Sequence, residues 1–150
     1  MKVLVTGAGG FIGSRLTKKL VLEGHDVYGV FHDSPCQIDG IQIINADLTK
    51  DGFDIPDVEF DVVFHLAAAT PLVKDKKKQK RINYEGVVNL FEKIKNKTNF
   101  IIYASGLGVF GNTKEVVNEQ SRIQPDTDFV KIRLEAQKFL EDSCKENNIG

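Results

Sequence analysis

The chain has 150 residues, 41% of them hydrophobic and 27% charged, and 20 lysines and arginines against 21 aspartates and glutamates give a net charge of −1. These values predict one globular domain and argue against a nucleic-acid or membrane partner, and no apolar run approaches the roughly 20 residues of a membrane span. Cys36 and Cys144 lie far apart without a C-x-x-C pair, so we expect free thiols and a cytoplasmic protein.

Short apolar runs alternate with longer amphipathic stretches along the chain. The runs predict strands over 2–6, 25–32, 41–45, 61–69 and 100–105, and the amphipathic stretches predict helices over 11–24, 83–96 and 129–147. Helical spacing predicts the buried faces of the first two helices: Phe11, Ile12, Leu16 and Leu20 in one, and Val87, Leu90, Phe91 and Ile94 in the other. Strands alternating with helices predict an α/β fold with a doubly wound, open parallel sheet.

The segment 74–81, with the sequence KDKKKQKR, holds six basic residues and one acid. Two interpretations are open: a solvated helix face or loop, which is typical of charge runs, and a phosphate-attracting rim beside a ligand crevice. No aromatic residue interleaves the basic ones, so the segment does not indicate nucleic-acid binding.

Gly7, Gly10 and Gly13 form a G-x-x-G-x-x-G pattern directly after the first predicted strand and at the start of a helix. Gly7 permits a tight turn, Gly10 lets the backbone approach a pyrophosphate, and Gly13 lets helix and strand pack closely. The free N–H groups at the start of the helix, around Phe11 and Ile12, would hold the phosphate oxygens. We therefore predict a dinucleotide-binding loop, and the alternative is a glycine turn that serves packing alone.

This loop and several later motifs resemble the extended short-chain dehydrogenases/reductases, the NAD(P)-dependent nucleotide-sugar epimerase/dehydratase family. The matching segments are VTGAGGFIG (5–13), ADLT (46–49), DVVFHLAA (61–68), NYEGVVNLFE (83–92), YASGLGVFG (103–111) and VVNE (116–119). The resemblance covers nearly the whole chain. It implies a single Rossmann domain over 1–150 with five strands in the order 3-2-1-4-5, and NAD or NADP as the cofactor.

The resemblance also assigns residues to the cofactor's adenine side. Asp47 would hydrogen-bond the adenine, and Leu48 would pack on it. Leu66, Ala67 and Ala68, at the end of the fourth strand motif, would run beneath the cofactor.

The choice between NAD and NADP depends on the end of the second predicted strand. The family's acid, which grips the adenosine ribose, falls on Phe31, whose ring accepts no such hydrogen bond. His32 follows, where NADP-preferring relatives often carry a basic residue for the 2′-phosphate. Asp33 lies about 20 residues past Gly13, as the NAD pattern requires, and is either a replacement acid or a turn residue before Pro35. The cofactor stays open between NAD and NADP.

The family's chemistry uses a tyrosine and a lysine four positions apart on one helix, together with a serine or threonine. The lysine cation is needed because the ordinary tyrosine pKa of about 10 is too high for acid/base work at neutral pH. Here Phe129 stands in the tyrosine position, Arg133 in the lysine position and Gly106 in the serine position. Phenylalanine has no proton to exchange, so the standard step cannot run through it.

Other polar residues at this end remain candidates for a role. Ser105 is the candidate catalytic residue, as a hydrogen-bond donor to a substrate or to the nicotinamide. Tyr103 is either a packed aromatic or a proton carrier, and His65 is either structural or a proton-handling group. Arg133 keeps its charge and is a candidate for binding a ribose or a phosphate of the cofactor.

The resemblance implies a nucleotide-sugar substrate, a homodimer formed through 83–96 and 129–147, and a C-terminal substrate-binding region that we expect this chain to lack. No metal site is predicted. Three hypotheses stand: an NAD(P)-dependent epimerase, dehydratase or reductase; a catalytically silent dinucleotide-binding module that acts as a redox sensor or binds a partner; and a domain that keeps the fold without useful cofactor affinity. The family resemblance favours the first, and the substituted residues favour the second.

Overall fold

The computed structural model describes residues 1–32 and 38–150, and the strands in these ranges form one parallel sheet. The strands are β1 Lys2–Thr6, β2 Asp26–Phe31, β3 Gln42–Asn45, β4 Val62–His65 and β5 Ile101–Tyr103. Their order across the sheet is β3-β2-β1-β4-β5, with Val3 of the central strand opposite Val27 on one side and Val62 on the other. The predicted doubly wound sheet and its strand order are confirmed.

The helices lie close to their predicted positions, with one extension. They are α1 Phe11–Leu22, α2 Lys76–Lys80, α3 Gly86–Ile94 and α4 Asp128–Glu146, and a π-helical turn over Arg81–Glu85 joins α2 to α3. The helix predicted over 83–96 therefore begins earlier, inside the basic segment, because the Asp75 carboxylate accepts hydrogen bonds from the backbone N–H groups of Lys77 and Lys78. In the described ranges no helix is long and apolar enough to cross a bilayer.

The core lies on both faces of the sheet, because successive strand side chains point to opposite sides. On one face, Leu4, Val30 and Val63 pack with Leu90 and Ile94 of α3. The other face is covered by α1, and its cluster contains Val3, Val5, Leu20, Val27 and Phe31. All four residues predicted for the buried face of α3 are buried.

The predicted buried face of α1 was partly wrong. Phe11 and Ile12 are 77% and 63% exposed, whereas the buried residues of α1 are Gly13, Thr17 and Leu20. Leu16 and Leu20 pack against the core as predicted. At the start of the helix the buried residue is instead Gly13, which has no side chain and packs against the loop preceding the helix.

The fourth strand is shorter than the predicted run 61–69 because its chain leaves the sheet after His65. The backbone N–H groups of Leu66 and Ala67 donate to the Thr6 hydroxyl at 3.2 Å each. A side-chain oxygen thus replaces the backbone carbonyls of a neighbouring strand as the acceptor at this point. Further on, Ala69 and Asn83 exchange hydrogen bonds in both directions, which ties the segment after β4 to the π-helical turn. The carboxyl ends of the central strands thus open onto a cleft.

Candidate functional site

The glycine loop between β1 and α1 is shaped by close backbone contacts. Gly7 has a φ of +66°, and a Cβ there would stand 2.8 Å from the Ala67 backbone nitrogen. A Cβ at Gly13 would collide with the Gly7 carbonyl. Gly10 caps α1 in an extended conformation, and no side chain bonds the first N–H groups of the helix. The loop therefore presents backbone donors and the positive end of the helix dipole without side chains in front of them.

A cleft of about 890 Å³ lies beside this loop, over the carboxyl ends of β2, β3 and β4. This is the position at which open α/β sheets bind their ligands. The predicted cofactor-binding residues that line it are Gly7, Gly10, His32, Asp47, Leu48, Ala67 and Ala68. The cleft therefore brings together residues from four separate segments of the chain.

The remaining predicted site residues lie elsewhere. Phe11, Ile12, Gly13 and Leu66 adjoin the cleft in sequence but are not part of its lining. Ser105 and Arg133 are also absent from the lining and lie around the end of β5 and α4. Asp33, like Cys36, lies outside the described residues.

Asp47 is held in a defined orientation at the end of β3. One carboxylate oxygen accepts hydrogen bonds from the Thr49 backbone N–H at 3.0 Å and from the Thr49 hydroxyl at 2.7 Å, while the other lies 3.6 Å from His32 Nε2 and 3.5 Å from Lys50 Nζ. The Thr49 hydroxyl, followed by its N–H and the charge of His32, keeps the pKa of Asp47 below its usual range. Asp47 is therefore an ionised acceptor whose charge is offset by its neighbours.

Phe31, which the resemblance aligns with the family's ribose-binding acid, has its side chain in the core. Only 3% of Phe31 is exposed, and its ring fills the space next to Gly29, where a Cβ would come within 2.7 Å of the ring. Phe31 also forms part of the cleft wall. An apolar surface thus replaces a hydrogen-bonding carboxylate at this point.

Positively charged side chains from α2 and the turn after it line part of the cleft. The sequence left open whether this basic segment borders a ligand site. Lys77, Lys78 and Arg81 line the cleft, and we call these three residues the basic wall. The segment 74–81 is thus an exposed helical surface and a rim of the cleft at the same time. Its density of lysines suggested such a rim, but only the docking of α2 decides which of them face the cleft.

Sequence reasoning missed several apolar and small lining residues. They are Gly9, Val30, Ala46, Ala69, Val73 and Ile82, with the polar Thr49 and Asp75. Thr49 had a recognisable pattern, because an aspartate two residues before a threonine commonly forms a side-chain-to-backbone turn. The others carry no chemical pattern of their own.

Phe129 and Arg133, which the resemblance aligns with the family's tyrosine and lysine, lie where α4 packs against β5. The Arg133 guanidinium donates a hydrogen bond to the Ala104 carbonyl and sits 5.3 Å from the centre of the Tyr103 ring and 6.0 Å from that of Phe129. Burial raises the pKa of Tyr103, and the charge of Arg133 opposes that rise only in part. The Tyr103 hydroxyl is buried without a hydrogen-bond partner among the described residues. These features favour a packed aromatic over a proton carrier.

Ser105 lies on the exposed side of the same region. Its hydroxyl donates to the Gln137 side-chain oxygen at 2.7 Å. Gly106, which the resemblance aligns with the family's serine, has open space where a Cβ would be. The Ser105 hydroxyl, one residue before Gly106, is therefore bonded within the protein.

His65 is buried at the end of β4 between Thr6 and Tyr103. Its Nδ1 is 2.7 Å from the Thr6 hydroxyl, and its ring stacks on that of Tyr103 with centroids 5.7 Å apart. Burial, with a smaller contribution from Arg133, lowers the pKa of His65 to about 3. The imidazole is neutral at physiological pH and has a structural setting. Within residues 1–32 and 38–150 no group of three or more acidic, histidine or cysteine side chains could hold a metal ion.

Comparison with known proteins identifies the family of this chain. A sequence model of the NAD dependent epimerase/dehydratase family matches residues 3–149. The chain belongs to this family. The UDP-glucose 4-epimerase of Mycolicibacterium smegmatis is 28% identical over 93% of this chain and 50% of its own length. Protein CapI of Staphylococcus aureus is 28% identical over 82% of the chain and 43% of that protein.

A solved member of the epimerase/dehydratase family shares the fold. The UDP-glucuronic acid 4-epimerase from Bacillus cereus, in complex with NAD, matches 99% of this chain and 53% of its own with a TM-score of 0.83 and 26% identity. The chain thus spans about half the length of the relatives it matches.

Proposed function

We propose that this family member binds a nicotinamide dinucleotide in the cleft and moves no proton through position 129. The observation that carries the binding is the cradle at Gly7 and Gly10, where the backbone lies bare beside the start of α1. The glycines leave the N–H groups at the start of α1 without side chains beside them, which is the arrangement that binds a pyrophosphate. The family match and the NAD complex of the Bacillus cereus relative support the same ligand class.

The residues present fit such a cofactor at its adenosine end. The N–H groups at the start of α1 would bind the pyrophosphate, Asp47 and Leu48 would contact the adenine, and Ala67 and Ala68 would form the floor beneath it. When bound, the cofactor supplies the capacity to accept or give a hydride. The protein's own part at this end is binding and orientation.

The residues aligned with the family's catalytic positions favour cofactor binding without the family's usual proton transfer. Phe129 has no exchangeable proton, the Arg133 guanidinium is bonded to the Ala104 carbonyl, and the Ser105 hydroxyl is bonded to Gln137. Neither the Tyr103 hydroxyl nor His65 replaces the missing acid, because both are buried and their pKa values are shifted away from neutrality. The silent binding module, a redox sensor or a partner-binding domain, is therefore our preferred function.

Calorimetric titration with NAD⁺, NADH, NADP⁺ and NADPH tests the binding. Gly10→Val is the informative variant because its φ of −78° suits any residue. The new Cβ would stand 3.1 Å from the Gly7 carbonyl oxygen, so circular dichroism of the variant must first show that the fold is kept. Gly52→Val is the matched control, since a Cβ there meets nothing within 4 Å. We expect Gly10→Val to weaken binding at least ~tenfold, which is about 1.4 kcal/mol, and Gly52→Val to leave it unchanged. No binding of any of the four cofactors would refute the proposal.

The second candidate is an active enzyme on a nucleotide sugar, which the similarity to UDP-sugar epimerases favours. Turnover of UDP- and dTDP-sugars, assayed with the tightest-binding cofactor, separates it from the silent module. If turnover is found and survives in Phe129→Ala, another group carries the proton. If the protein shows no turnover, and the double variant Phe129→Tyr/Arg133→Lys shows none either, the result supports the silent module.

A further inference from the structure

We propose that the basic wall (Lys77, Lys78 and Arg81) draws anionic ligands into the cleft by long-range electrostatic attraction, which speeds the capture of a dinucleotide. The inference rests on the proposed dinucleotide binding, because the wall lines the same cleft as the glycine loop. It assigns these side chains a role in the rate of association and requires no contact between them and the bound ligand.

The three cations of the basic wall share one side of the segment that carries them. Arg81 follows Lys77 by four residues and Lys78 by three, the spacings at which side chains are neighbours on a helical surface. All three residues are exposed and all three line the cleft. An approaching ligand therefore meets this group of charges before it enters the cleft.

The charges of Lys77 and Lys78 are not neutralised by ion pairs. Their neighbour Lys76 pairs with Asp128 at the start of α4. In the described ranges no carboxylate lies within ion-pair distance of Lys77 or Lys78. The two lysines thus keep their charge available at the cleft, and they are the members of the wall that an experiment can change together.

The carboxylates of the cleft only partly offset the wall. Asp75 accepts the backbone N–H groups of Lys77 and Lys78 as the cap of α2, and Asp47 lies 3.5 Å from the Lys50 ammonium. The described lining thus holds three lysine or arginine side chains against two aspartates. Because the whole chain has a net charge of −1, the attraction of an anion must come from this local excess and not from the protein's overall charge.

The glycine loop adds a second source of positive potential to the same cleft. Gly10 lines the cleft and precedes α1, and the first turn of that helix contains no acidic residue. The positive end of the helix dipole is therefore not offset by a side chain. The wall and the start of α1 act on an anion in the same sense, since both border one cleft.

Attraction of this kind acts before contact, so its signature is kinetic. The Debye length is about 30 Å at 0.01 M ionic strength and about 3 Å at 1 M, so the lysines reach a ligand outside the cleft only at low salt. Charges that line a cleft raise association rates by about ten- to thousandfold. Removing a charge at the rim of a site changes the association rate and its salt dependence, whereas the loss of a buried contact changes the dissociation rate.

Stopped-flow mixing of the whole chain with NADH tests the inference. The fluorescence of NADH itself is the signal, because the chain has no tryptophan. We expect the association rate constant to fall at least ~tenfold between about 0.01 M and about 1 M ionic strength. In Lys77→Gln/Lys78→Gln it should be about three- to tenfold lower than in the unmodified protein at low salt and similar at high salt, with the dissociation rate little changed.

Two further readouts separate charge from other effects of the substitution. Lys77→Arg/Lys78→Arg, which keeps both charges, should retain the association rate of the unmodified protein. NAD⁺, measured by its competition with NADH, should show a smaller salt effect than NADH, because its cationic ring cancels part of the phosphate charge. An equal salt effect for the two would contradict attraction by charge.

Lys138→Gln/Lys145→Gln is the matched control, because both lysines are exposed on α4 and neither lines the cleft. It removes the same charge from the chain and should leave the rate and its salt dependence unchanged. An unchanged rate in Lys77→Gln/Lys78→Gln would overturn the inference. A loss confined to the dissociation rate would overturn it too, because the lysines would then be contacts of the bound ligand. In either case the proposed function stands, whereas both proposals fail if calorimetry detects no dinucleotide binding.

Discussion

The Thr6 hydroxyl bonds the Nδ1 atom of His65 at 2.7 Å, and this contact joins the ends of the two central strands. The same hydroxyl oxygen accepts from the backbone N–H groups of Leu66 and Ala67. A hydroxyl has two acceptor positions and one hydrogen, so its hydrogen points to Nδ1, and the neutral imidazole carries its proton on Nε2. One side chain therefore fixes the tautomer of His65 and the path of the cleft floor.

Replacing Thr6 by valine should destabilise the fold. The substitution keeps the shape but leaves two buried or half-buried N–H groups without their acceptor, which costs roughly 1–3 kcal/mol in the free energy of unfolding. Urea denaturation followed by circular dichroism measures it. Thr6→Ser, which retains the hydroxyl, should recover most of the loss. A Thr6→Val protein as stable as the parent would show that this hydroxyl does not organise the floor.

His65 should make the fold sensitive to mild acid. Its pKa is about 3 when folded, below the ordinary 6.5, so the unfolded chain binds the proton more readily. This contribution to stability is complete above pH ~6.5 and falls as pH drops towards 3, by up to about 1.4 kcal/mol per unit.

The measurement is the free energy of unfolding between pH 7 and 5, compared with that of His65→Asn. The variant should lose this part of the pH dependence, whereas His25→Asn, at an unrelated position, should retain it. If His65→Asn has the same pH profile as the parent, then the imidazole does not titrate as its burial requires.

Alanine at Gly7 should cost more stability than alanine at Gly24. Both glycines have positive φ, +66° and +79°, so each substitution carries the left-handed penalty of about 1–2 kcal/mol. At Gly24 nothing lies within 4 Å of the new Cβ, but at Gly7 the Ala67 nitrogen stands at 2.8 Å. We expect Gly7→Ala to lose roughly 1–3 kcal/mol more, because backbone must move to relieve the overlap. Chemical denaturation of the two variants side by side measures the difference, and equal losses would contradict the close approach.

The fold and the loop could be predicted from the sequence because their determinants are local. Continuous apolar runs fix the strands, and the glycines at 7, 10 and 13 fix the turn after β1 whatever the rest of the chain does. The error on the face of α1 has a local origin too. A glycine does not contribute to a hydrophobic periodicity, yet the absence of a side chain at Gly13 lets this part of α1 pack against the preceding loop.

The basic wall and the partner of Arg133 could not be predicted, because both depend on how distant segments dock. Which lysines of 74–81 face the cleft follows from the Asp75 cap and the hydrogen bonds between Ala69 and Asn83. The acceptor of Arg133 is the carbonyl of Ala104, and a backbone group leaves no trace in the sequence. Phe129, Arg133 and Gly106 were visible as substitutions, but their consequence required the geometry.

Removing the charge of Arg133 should raise the pKa of Tyr103 further. Burial already raises it, and the guanidinium 5.3 Å from the ring centre is the one charge that opposes the rise among the described residues. Ultraviolet titration of tyrosinate measures this in a Tyr28→Phe/Tyr84→Phe background, since the sequence has three tyrosines. Arg133→Gln should titrate at higher pH than the background protein, and Arg133→Lys, which keeps a cation, should shift less. Such a result would mean that the Arg133 cation only moderates the pKa of a buried, packed phenol. An unshifted titration in Arg133→Gln would instead place the guanidinium away from the ring and make Tyr103 a candidate proton carrier again.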